Sequence, residues 1–143
     1  MQRITGDVAA DVISAVVGAQ RSAPAAVAVS IAVVDDAGAL VAFQRMTGAP
    51  RFSADFAIAK ARTAAAFGAD TSRLEELYAD RPVFAHSFVA KGGYFLGRGG
   101  VPVLVEGEVV GAIGVSGADA HGEEDIAHAA ATRASTLAGE GSS

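Results

Sequence analysis

The chain has no cysteine and no tryptophan among its 143 residues. Without thiols there can be no disulfide framework, thiolate metal site or cysteine nucleophile. Positive charge is also scarce: 11 Lys and Arg stand against 16 Asp and Glu, giving a net charge of −5. A nucleic-acid partner needs a basic patch to neutralise phosphates, so none is expected. No apolar run is long enough to cross a bilayer, and no membrane partner is expected. Met1 to Asp11 carries Asp7 and Asp11 and lacks an apolar signal-peptide core. A cytoplasmic protein is the expectation, with a secreted form whose leader has been removed left open.

Apolar residues make up 51% of the chain, yet only two Tyr and seven Phe are aromatic. The interior must therefore be built mainly from Ala, Val, Ile and Leu, small enough for helices to lie close to a sheet. With no long polar linker, residues 1–143 are expected to form a single domain with a frayed tail from about 139. The apolar surplus in so short a chain points to a homo-oligomer.

Apolar spacing predicts a helix over Asp7 to Arg21, capped by Thr5 or Gly6 and stopped at Ser22-Ala23-Pro24. Val27 to Val34 and Ala39 to Arg45 read as strands joined by the Asp35-Asp36-Ala37-Gly38 turn. Ser53 caps a second helix that runs to Phe67 and stops at Gly68, and a short helix starts at Thr71 or Ser72. Arg81 to Lys91 is a flap or short helix, and Tyr94 to Leu96 a weak third strand. Val101 to Val105 and Glu108 to Ser116 form a hairpin about Glu106-Gly107, followed by a terminal helix from Glu123 to Leu137. The order predicts an α+β fold with a five-stranded antiparallel sheet and helices packed on its faces.

Alternation in the last strand sets Val109, Gly111, Ile113 and Val115 against Val110, Ala112, Gly114 and Ser116. The second face is bare. Gly111 and Gly114 imply the close approach of a helix backbone or of a ligand.

Several chemistries fail at the sequence. Gly97-Arg98-Gly99-Gly100 lacks the Lys-Ser ending of a P-loop and runs into Pro102 and a strand, which excludes that nucleotide site. Ser116 has no nucleophile-elbow context. His86, His121 and His128 are too dispersed for a zinc signature, and His128 suits a surface or helix-packing role.

Gly99-Gly100-Val101-Pro102, Gly107 and Val110-Gly111-Ala112-Ile113-Gly114-Val115-Ser116-Gly117, with Asp125 beyond, resemble the GlcG/HbpS family signature. Ser30-Ile31-Ala32-Val33-Val34-Asp35, Phe43-Gln44-Arg45-Met46 and Lys60-Ala61-Arg62-Thr63-Ala64 resemble it in the same order, so the likeness covers nearly the whole chain. The resemblance implies a profilin-like architecture. It also implies a small-molecule partner, with haem as the leading cofactor, because the family includes oligomeric haem-binding members that degrade or sense haem. Members also accompany glycolate- and diol-utilisation systems, so an enzyme or accessory factor for a small hydroxy- or oxo-acid is the alternative.

Against that background Lys60, a position where the family carries lysine, and Asp125 are the candidates for acid or base work. Arg45, Lys60, Tyr94, Arg98, Gly114, Ser116 and Gly117 are the candidate ligand-binding set, with the arginines suited to a haem propionate or a small organic acid. Surface roles stay open for each cation. His86, among Phe84, Phe88 and Tyr94, is the first choice for a haem axial ligand, and His121 the second. A pocket is expected between the Lys60 helix, the flap and the Gly114–Ser116 strand end.

Overall fold

The computed structural model describes residues 3–23 and 27–140. The expected stop at Pro24 and residues 141–143 of the expected tail lie outside the described residues, while Gly139 and Glu140, expected to fray, are helical.

Helix α1 spans Gly6–Ser22, and Thr5 caps it by accepting a 3.2 Å hydrogen bond from the Val8 amide. Strands β1 (Ser30–Asp35) and β2 (Leu40–Arg45) form the first hairpin. The Asp35 carboxylate accepts from the Ala37 and Ala39 amides, and Gly38 takes the positive φ that the turn requires. Helices α2 (Ser53–Phe67), α3 (Thr71–Leu77) and α4 (Pro82–Gly92) follow, then β3 (Gly100–Val105), β4 (Glu108–Ser116) and α5 (Ala120–Glu140).

The described sheet is antiparallel and has four strands in the order β2-β1-β4-β3, one fewer than expected. Tyr94 to Leu96 is irregular. The Phe95 amide, which a strand would need for its ladder, donates instead to Thr63 Oγ1 at 2.8 Å. Pro102 is accommodated because β3 lies at the sheet edge.

Helices α1 and α5 cover one face of the sheet, where Val12, Ile13, Val16, Ala127, Ala130 and Ala134 meet the sheet residues Ile31, Val33, Val103, Ile113 and Val115. Val110 joins this layer too, against the simple alternation. The pairing shifts between Val103 and Leu104, and such a bulge turns one extra residue across the sheet. On the other face α2 presents Ala57, Ala61, Ala64 and Ala65 to Ala32, Val34 and Ala112. A Cβ on Gly114 would stand 1.9 Å from the Ala57 carbonyl oxygen, so Gly114 makes room for the α2 backbone.

Ser53 is not the cap of α2. Phe52 occupies that position, while Ser53 is buried, donates to the Pro50 carbonyl and shares a 2.8 Å bond with Ser30. Because the alanine face of α2 takes the sheet, Phe52 and Phe56 stand on another side of the helix, 58% and 37% exposed. Helix α4 buries none of its residues and is tied down by ring contacts: Phe84 with Tyr78, and Phe88 with Phe67 and Tyr94.

Candidate functional site

Lys60, midway along α2, is only 3% exposed. Its Nζ donates to the Val115 carbonyl and to Glu123 Oε1, each at 3.0 Å, and lies 5.4 Å from the centre of the Phe95 ring. Glu123 Oε2 accepts the Gly117 amide at 2.8 Å. One ion pair thereby joins α2, the end of β4 and the start of α5. The glycine loop closes over it. A Cβ on Gly99 would stand 2.6 Å from the Val115 carbonyl oxygen, and one on Gly100 would stand 2.4 Å from the Lys60 carbonyl oxygen. These glycines serve close packing of the loop on Lys60.

A cavity of about 250 Å³ opens beside the pair, lined by Phe52, Phe56, Lys60, Glu75, Phe95, Gly97, Arg98, Ser116 and Glu123. A second cavity of about 490 Å³ runs under α4, lined by Ala85, His86, Val89, Ala90 and Leu96. Glu75, Phe95 and Gly97 line both. The two cavities thus adjoin across these three residues in an apolar-walled trough, with Lys60 and Ser116 at one end and the exposed His86 at the other. Phe56 and Phe95 form an aromatic wall, their ring centres 4.8 Å apart.

Arg98 reaches away from the ion pair. Its Nη1 donates to Glu124 Oε2 at 2.6 Å, and its Nη2 lies 3.6 Å from Glu76. Glu124 also accepts the Ser72 hydroxyl at 2.7 Å. That hydrogen bond, followed by the one from Arg98, holds the Glu124 carboxyl below its usual range against the opposing effect of burial. The same carboxylate pushes the Arg98 guanidinium up.

Lys60, Arg98 and Ser116 thus share one cavity, and Gly117 anchors its carboxylate. Other candidates stand elsewhere. Gly114 is occupied by the α2 backbone. Tyr94 stacks on Phe88 and lines a separate cavity of about 100 Å³ with Asp36, Gly38 and Arg62. Arg45 is exposed at the end of β2, opposite Ser30 in the register. Asp125 lies two residues past Glu123, hence on another side of α5, where it lines a groove against α1 with Ala15, Ala19 and Arg133. The side chain of His121 lies outside the described residues. Sequence reasoning missed Glu123 as the partner of Lys60; its only local signal was an acidic residue at a helix start.

A family model described as haem degrading protein HbpS-like matches residues 4–132. Protein GlcG of Escherichia coli is 41% identical over 88 residues, which are 62% of this chain and 63% of GlcG, so the match spans less than two thirds of that relative. Among solved structures, Klebsiella pneumoniae ORFY superposes with a TM-score of 0.85 at 28% identity, covering 96% of this chain and 94% of ORFY. A double mutant of Streptomyces reticuli HbpS gives a TM-score of 0.78 at 31% identity, covering 96% and 88%. A complex of PduOC with haem shares the fold, with a TM-score of 0.80 at 24% identity over 92% and 94% of the two chains. No helix among the described residues is long and apolar enough to cross a membrane. With the family match running from Ile4 to Thr132, through every strand and into α5, the chain belongs to the HbpS-like haem-degrading protein family.

Proposed function

We propose that the protein binds haem or a similar tetrapyrrole in the trough between α2, α4 and the Gly97–Gly100 loop. The observation that carries this reading is that Phe95 and Gly97 line both adjoining cavities. A flat apolar ligand needs a continuous apolar slot with a few polar groups at its ends. Phe56, Phe95, Val89 and Leu96 supply the walls. His86 supplies an imidazole suited to an axial position, with His121 as the second candidate. Lys60 and Arg98 are the cations near the opposite end, where propionates would compete with Glu123 and Glu124 for their donors. Arg45 and Tyr94 lie outside this trough. Bound haem would supply iron redox chemistry, on which a degrading or sensing role would rest. The family description supports haem as the ligand.

Val83, Leu77 and Phe52 are 80%, 60% and 58% exposed, and their cover in a homo-oligomer is part of the proposal. Light scattering on the purified protein tests it, with a monomer as the contrary result.

Haemin titration followed by absorbance tests the binding reading. The expected result is a saturable Soret shift that weakens at least about tenfold in His86→Ala. A non-saturating shift would reject it.

The cavity at Lys60 supports a second reading. At about 250 Å³, with Lys60, Arg98 and Ser116 on its wall, it has the scale and charge for a small hydroxy- or oxo-acid rather than a macrocycle. Here Lys60 or Glu123 would handle a proton. Calorimetric binding of such an acid, lost in Lys60→Met, with no saturable haemin response, favours this reading over the first.

A further inference from the structure

Away from the trough, three ligand-bearing side chains converge where α3 meets α5. Asp70 occupies the N-cap position of α3, but its carboxylate caps no amide there. An Asp at this position ordinarily caps a helix amide, and here it faces another partner instead. Its Oδ2 lies 3.0 Å from His128 Nε2. The same ring nitrogen lies 3.7 Å from Glu124 Oε1, one helical turn back on α5. One ligand atom from each of the three falls within 4.8 Å of the others.

The carboxylate of Glu124 is oriented by Ser72, which donates to the same Oε1 that faces His128, and by Arg98, which donates to Oε2. Such outer hydrogen bonds orient metal ligands in known sites. Beside the cluster lies a cavity of about 350 Å³ lined by Asp70, His128, Pro102, Thr132 and Ser135, with room for water to complete a coordination sphere. Two carboxylates against one guanidinium leave net negative charge.

We propose that Asp70, Glu124 and His128 bind a divalent first-row transition-metal ion. One imidazole with two carboxylates suits zinc, cobalt, manganese or ferrous iron, and the all-oxygen preference of calcium and magnesium is not met. The ion would clamp the start of α3 to α5 one residue from Glu123, and so stiffen the Lys60 end of the trough from outside it.

Cobalt(II) chloride is the probe, added to chelator-treated full-length protein and followed by its visible d–d bands, with zinc chloride as competitor. The expected result is saturation at one ion per chain, displaced by zinc, with affinity reduced about 10- to 100-fold in both His128→Ala and Asp70→Asn. Circular dichroism checks that both variants fold, and Asp70→Asn keeps a residue able to cap α3. Failure of the wild-type bands to saturate, or saturation unchanged in both folded variants, overturns the proposal.

Discussion

Lys60 Nζ and Glu123 Oε1 lie 3.0 Å apart although 63 residues separate them, and their side chains are only 4% and 10% exposed. Each has a second anchor on β4 or just past it: Lys60 on the Val115 carbonyl, Glu123 on the Gly117 amide. Removing one partner leaves the other charge buried without its counterion. Lys60→Met is therefore expected to cost about 3–5 kcal/mol in urea unfolding. Lys60→Met combined with Glu123→Leu should cost clearly less than the sum of the two single changes. Additive losses would show that the pair is not coupled.

Two glycines test the packing of the helix layers. Gly114→Ala would drive a methyl into the Ala57 carbonyl and the Ala61 amide, and is expected to destabilise by about 3 kcal/mol. Gly18→Ala, within α1 and with nothing inside 4 Å of the added carbon, should stabilise by about 0.5–1 kcal/mol. Equal urea midpoints for the two variants would contradict this arrangement.

Acid should weaken the α3–α5 contact through Glu124. Its folded pKa is depressed below the ordinary 4.5, so its contribution is fully present above that pH and is lost as pH falls through the lower folded value. Ser72→Ala removes the largest cause of the depression. The variant should be less stable than the parent at neutral pH, with the gap narrowing below pH 4.5; a gap that stays constant on acidification counts against the assignment.

The shared wall of the trough predicts a contrast between neighbouring aromatics. Phe95→Ala should weaken haemin binding about tenfold, equivalent to about 1.4 kcal/mol, because it opens both cavities at their junction. Tyr94→Phe, on the far side by Phe67 and Phe88, should leave the haemin affinity within about twofold, a difference of about 0.4 kcal/mol. The reverse order would place the ligand elsewhere.

Local signals carried the hairpins and α2. Glu106 and Gly107 take φ of 52° and 80° between two β-branched runs, and Gly68 ends α2 at a left-handed φ of 61°. Those features depend on residues adjacent in the chain. Tyr94 to Leu96 looked like a strand by residue type, but Thr63, far away in sequence, takes the amide. Likewise the side of α2 that meets the sheet is set by the tight seat at Gly114, which admits only the alanine side and leaves Phe52 and Phe56 off it. Lys60 was legible as a site residue through family likeness, whereas Glu123 was not, because its role depends on where α5 begins relative to β4. Asp125 drew attention in its place, and two residues along a helix are enough to turn a carboxylate out of a cavity. His128 and Asp70 were illegible together for the same reason: they come from different elements.

The most direct test of the trough is the backbone amide spectrum of the labelled protein titrated with gallium protoporphyrin, a diamagnetic stand-in for haem. Perturbations confined to Phe56, Lys60, Glu75, the His86 turn of α4 and Phe95 to Arg98 are the predicted result. Perturbations centred on the α1–α5 groove around Ala15, Gln20 and Ala129, or none at saturating ligand, would contradict it.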